Sequence, residues 1–115
     1  MSQGQYSIQV NSAGKVVNMK VSGTFTPEKA QEFINDYNRQ IGKISANEYD
    51  LRFDCRGLNV VTQEMTPHLE GCFKLYNESG FKNIIIEIDR SAVLKMQLAR
   101  LGRNVGLTNL KIEEV

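Results

Sequence analysis

YDLRFDCRGLNVVTQEMTPHLEGCFKLY, residues 49–76, is the stretch whose reading decides the fold. In its first part Tyr49, Leu51, Phe53 and Cys55 alternate with Asp50, Arg52 and Asp54, the pattern of a strand with one buried face and one wet face. Gly57 breaks the strand, and an amphipathic helix carrying Leu69, Cys72, Phe73 and Tyr76 follows. The helix start has two readings. Thr62 caps a helix from Gln63, although Pro67 then lacks the amide to bond the Gln63 carbonyl; or Thr66 caps Pro67 and residues 62–66 form an irregular turn. The helix ends near Glu78 to Gly80.

Working outward, Tyr6 to Val10 and Val17 to Val21 each alternate and are separated by Ala13 Gly14, which reads as a hairpin. Thr26 Pro27 supplies a cap and a preset first helical residue. The first helix buries Ala30, Phe33, Ile34, Tyr37 and Ile41 and leaves Glu28, Glu32, Asp36 and Arg39 off that face, with Gly42 as its stop. Lys43 to Glu48 is a polar connection into the central strand. Later, Asn83 to Ile88 is a fourth strand, Asp89 or Ser91 caps a third helix with Leu94, Leu98 and Leu101 inside and Gly102 at its close, and Leu110 Lys111 Ile112 is a short last strand.

The order β, β, α, β, α, β, α, β implies an α/β single domain over 1–115. Its sheet is expected to be mixed, mainly parallel and of about five strands, with right-handed helical crossovers. A sheet covered on both faces needs nearly continuous apolar strands, whereas these alternate, so about three helices lie mainly on one face. The other face carries Gln9, Lys20, Asp50, Arg52, Asp54 and Glu87.

Composition narrows the function classes. With 115 residues, 41% hydrophobic and 23% charged, the chain has the make-up of one ordinary globular domain. The formal charge of +1 provides no global pull towards nucleic acid or anionic membrane. The longest apolar run, Ile84 to Ile86, is far too short to span a bilayer. The start, Met1 Ser2 Gln3 Gly4 Gln5, has no positive region followed by an apolar core, so the expectation is a cytoplasmic protein. Cys55 and Cys72 both fall on apolar stripes and read as reduced core residues.

Glu64, His68 and Cys72 are spaced by four and would share a stripe of an unbroken helix, yet Pro67 disturbs the first turn and no further His or Cys completes a zinc site. His68 and Cys72 as a nucleophilic pair lack an orienting third group. Neither phosphate-binding glycine pattern occurs, and no cofactor is implied. Arg90, Lys95, Arg100, Arg103 and Lys111 span a segment without Asp or Glu, a basic edge read as a solvated helix face in preference to a surface for an acidic partner, RNA or anionic lipid. The loops at the carboxyl ends of strands two, three and four are the expected working side of such a sheet. Asp54, Glu64 and Asp89 there oppose a phosphate and suit a protein partner better.

Val16 to Phe25 followed by a helix, Leu51 to Val61, and Gly80 to Ile88 followed by Leu94, Leu98, Leu101 and Gly102 resemble the STAS domain family of anti-sigma factor antagonists over about Tyr6 to Glu113. That family's hallmark is an Asp-Ser-Ser-Gly turn at the start of the second helix, whose serine is phosphorylated by a partner kinase. The corresponding positions here are Thr62, Gln63, Glu64 and Met65, so the phosphoserine switch does not carry over. The resemblance implies a non-enzymatic, regulatory, protein-binding module that uses Thr62 to Met65 and the neighbouring helix. A small-molecule or lipid-binding module of the same fold, or a self-assembling component using the open sheet face or an edge strand, is the alternative.

Overall fold

The structure is a computed structural model that describes residues 4–23, 26–57 and 63–115. β1 (Gln5–Asn11) and β2 (Val16–Ser22) pair antiparallel, with Ile8 opposite Met19 and Val10 opposite Val17. The turn between them covers residues 12–15, and its positive φ falls on Lys15, not on Gly14. The Gly14 N–H instead donates to the Asn11 side chain at 2.9 Å, which closes the turn.

α1 (Pro27–Ile41), β3 (Asp50–Asp54), α2 (Thr66–Ser79), β4 (Asn83–Ile88), α3 (Ala92–Asn104) and β5 (Leu110–Glu114) complete the described elements. The strand order is β1-β2-β3-β4-β5, so the sheet is mixed: one antiparallel pair and three parallel pairs. Because this order never reverses, right-handed crossovers through α1, α2 and α3 all place their helices on the same face.

The burial pattern agrees with that geometry. Val17, Leu51 and Ile84 form one row across the sheet, and Met19, Phe53 and Ile86 form the next, all buried under the helices. On the opposite face Lys20, Asp54, Glu87 and Glu113 stand side by side, as do Asn18, Arg52, Ile85 and Lys111. Gln9, Lys20 and Arg52 are exposed there, and Asp50, Asp54 and Glu87 are half-buried, as the alternation in the sequence requires. Aromatic rings join the helices to the sheet: Phe33 of α1 stacks on Phe53 of β3 at 6.2 Å, and Tyr76 of α2 meets Phe53 at 5.9 Å and Tyr37 at 5.4 Å. Both cysteines are free and buried in this core.

Several boundaries depart from the sequence expectation. The Thr26 hydroxyl caps α1 as expected, accepting from the Lys29 N–H at 3.2 Å. Gly42 follows α1 but keeps a right-handed backbone, φ −63°, so its position after the helix does not depend on a left-handed conformation. Asp36, placed off the apolar face of α1 by its spacing, is half-buried and accepts a 2.5 Å hydrogen bond from the Tyr6 hydroxyl, tying α1 to β1. The polar connection before β3 contains a 3₁₀ turn, Ala46–Glu48, around the buried Ala46. Gly102 does not close α3, which runs on to Asn104. A Cβ at Gly102 would sit 2.5 Å from a Leu110 methyl, so glycine there permits close approach of helix and strand, and the turn falls to Gly106 at φ +81°.

Candidate interaction surface

At the carboxyl ends of β2, β3 and β4 the loop roots are bound to one another. The Gly23 N–H donates to the Gly57 carbonyl at 3.1 Å, and the Gly57 N–H donates to the Asp89 carboxylate at 2.9 Å. Gly57 holds φ +90°, a conformation that favours glycine. Asp89 is therefore the anchor of the β3 loop, while the α3 cap is Ser91, whose hydroxyl accepts from the Leu94 N–H at 3.1 Å. Asp54 is clasped by Arg56, whose Nε and Nη2 each donate at 3.0 Å. Those hydrogen bonds hold the Asp54 carboxyl below the usual carboxylate range, against a smaller opposing effect of burial. Asp54 and Asp89 are thus both engaged within the fold. Among the described strands the order does not reverse, so the sheet has no switch point of the kind at which open α/β sheets usually hold ligands.

The residues singled out before the second helix divide. Thr62, with Leu58 to Val61, lies outside the described residues, as do Thr24 and Phe25. Gln63 and Glu64 are exposed on a turn covering residues 63–65. Met65 is buried at 7% exposure, and its carbonyl accepts the Leu69 N–H at 3.0 Å, so it supports the first turn of α2 and its side chain is not displayed to a partner. α2 begins at Thr66 with Pro67 in its first turn, where a missing N–H costs no helical bond. It ends at Gly80 in the left-handed conformation, φ +79°.

That start removes Glu64 from the helix and breaks the spacing by four that linked it to His68 and Cys72. Among the described residues no three His, Cys, Asp or Glu side chains form a group able to hold a metal ion. Burial pushes the Cys72 thiol up to about 12, and burial followed by the nearby Asp54 charge raises Cys55 as well, the opposite of what an activated nucleophile needs.

One feature of this region went unread in the sequence. Val93, Met96, Gln97, Arg100 and Asn104 form a stripe on α3 that flanks the buried Leu94, Leu98 and Leu101, and with Leu101 and Thr66 of α2 they line a groove of about 410 Å³. The signal was present: Val93 and Met96 are apolar residues off the buried stripe, one turn apart. A second hollow, about 220 Å³, lies at the far end of α1 beside Tyr37 and Ser79. There the Tyr37 hydroxyl and the Ser79 Oγ share a 2.6 Å hydrogen bond, and Ser79 also donates to the Leu75 carbonyl at 2.8 Å, so those polar groups are already paired.

The basic edge is partly neutralised, since Lys95 meets Glu114 at 3.2 Å and Lys111 meets Glu113 at 3.8 Å. Among the described residues no helix is long and apolar enough to cross a membrane. Comparison with protein-family models gave no match to this chain, and comparison with curated proteins gave none either.

Proposed function

We propose that this chain is a non-enzymatic, cytoplasmic interaction domain of the STAS kind, one that engages a protein partner through the turn before α2 and the adjacent helical surface. The observation that carries the reading is the exposed pair Gln63 and Glu64 in the turn that leads into α2, whose first residue, Thr66, lines the groove against α3. The topology is compatible with it: the described elements are a mixed five-stranded sheet with three helices over one face, the architecture expected from the alternation of the strands. The chemistry supports it too, because both thiols are buried and held protonated and the loop carboxylates Asp54 and Asp89 are engaged within the fold. Without the serines of the family's turn, this module acts as a constitutive binder, with Glu64 as a fixed negative charge at the position of the switch. A carboxylate there lacks the second charge and third oxygen of a phosphate.

The test is capture from native lysate on immobilised protein, comparing wild type with Gln63→Ala and Glu64→Lys. The reading expects a protein partner retained by wild type and weakened at least tenfold by Glu64→Lys. Capture indifferent to both changes removes it.

A further inference from the structure

Two of the large apolar side chains that the described residues expose, Val93 at 56% and Met96 at 58%, sit one turn apart on the outer face of α3. They form one wall of the groove, with Leu101 deeper and Thr66 of α2 across from them. Arg100 lies one turn further along the same stripe. Among the described residues no carboxylate pairs with it, whereas Lys95, on the flank of α3 nearer β5, is engaged by Glu114. Among the described residues the groove lining holds one cation, a threonine hydroxyl, amides and apolar atoms, and no acid. We infer that this groove docks a segment of a protein partner that brings an apolar anchor to Val93, Met96 and Leu101 and a carboxylate to Arg100.

The inference rests on the interaction-domain reading above and names the chemistry of its partner. A concave slot between two helices accepts a projecting side chain, the mode in which an amphipathic segment lays its apolar residues into a groove. A bilayer surface would instead need a wider apolar face than two side chains. A small molecule filling the slot would leave the rims of Val93 and Met96 wet, whereas a protein segment covers them. Methionine suits the role because its flexible thioether adapts to the anchor that enters. An arginine guanidinium accepts a carboxylate through two parallel hydrogen bonds, which fixes the register of the segment.

The experiment is selection of a displayed library of 16-residue segments, with randomised apolar and charged positions, on the intact protein. The expected winners carry a large apolar residue flanked by Asp or Glu. They should bind Arg100→Glu and Met96→Ser at least tenfold more weakly, and they should shift the Met96 methyl resonance while leaving that of the buried Met19 in place. Winners that are neutral or basic, winners indifferent to Arg100→Glu, or no enrichment at all would overturn the proposal. So would retention of the wild type, but not of Arg100→Glu, by vesicles of phosphatidylglycerol and phosphatidylcholine, because the surface would then be a membrane site. If the groove fails in this way while native-partner capture still depends on Gln63 and Glu64, only the groove assignment falls; capture that ignores the turn removes the reading beneath it.

Discussion

Truncation of Phe53 tests the one-sided architecture quantitatively. Phe53 is 6% exposed, stacked on Phe33 and set edge-on to Tyr76, so it joins β3 to both α1 and α2. Burying a phenylalanine side chain contributes about 1.5–3 kcal/mol, and each aromatic pair adds about 0.5–1.5 kcal/mol. Its neighbours are anchored on α1, α2 and the flanking strands β2 and β4 and collapse poorly into the space, so Phe53→Ala should cost about 4 kcal/mol, within the usual range of about 3–5. That is a large share of the 5–15 kcal/mol or so that holds a typical domain folded. The adjacent Arg52 projects from the open face, and Arg52→Ala should change stability by less than about 0.5 kcal/mol. Urea unfolding followed by far-ultraviolet circular dichroism measures both. At a slope of about 2 kcal/mol per molar, the Phe53→Ala midpoint should fall by about 2 M and that of Arg52→Ala should stay close to wild type. A loss below about 1.5 kcal/mol for Phe53→Ala, or comparable losses for the two variants, would refute the assignment of buried and open faces.

Asp89→Ala should loosen the β3 loop more than it weakens the fold. The Gly57 N–H loses its acceptor at a solvent-accessible site, so the cost should be about 1 kcal/mol, with faster hydrogen exchange at Gly57 and Gly23; unchanged exchange at both amides would show that Asp89 does not anchor the loop. Neither cysteine should react with iodoacetamide at neutral pH in the folded protein, and both should react in denaturant. Prompt labelling of Cys72 in the native state would contradict its burial. Alkali should destabilise the protein through the same thiol. Its folded pKa is raised, so its contribution is complete below the unfolded pKa of about 8.5 and is lost as pH rises through that value towards about 12. Thermal melts at rising pH should therefore fall less steeply for Cys72→Ala than for wild type, and parallel slopes would count against the shift.

The sheet was legible because alternation is a local signal with one structural meaning. Leu51 and Phe53 against Asp50 and Arg52 define two faces, and strands repeating that pattern can be covered on only one of them. Thr26 Pro27 was legible for a similar reason, since the cap and the first helical residue are adjacent in sequence. Gly102 misled because a glycine near a helix end looks like a terminator, whereas here it answers to Leu110, a contact that exists only in three dimensions. Asp36 misled in the same manner: its periodicity is that of an exposed residue, but Tyr6 of the neighbouring strand reaches it. The two readings of the α2 start also depended on context. The helix begins at Thr66, and the turn before it keeps Gln63 and Glu64 outside while Met65 is drawn into the core. The groove was half-legible. Val93 and Met96 broke the pattern of a solvated helix face, but nothing local to α3 shows that Thr66 stands opposite.

The most direct measurement of the interaction reading is hydrogen–deuterium exchange on the complex with the captured protein partner. Protection should concentrate on residues 63–70 and 93–104, leaving the open-face strands β3 and β4 at their free exchange rates. Protection confined to the open face or to the β1 edge, with the mouth of α2 exchanging as in the free protein, would contradict it.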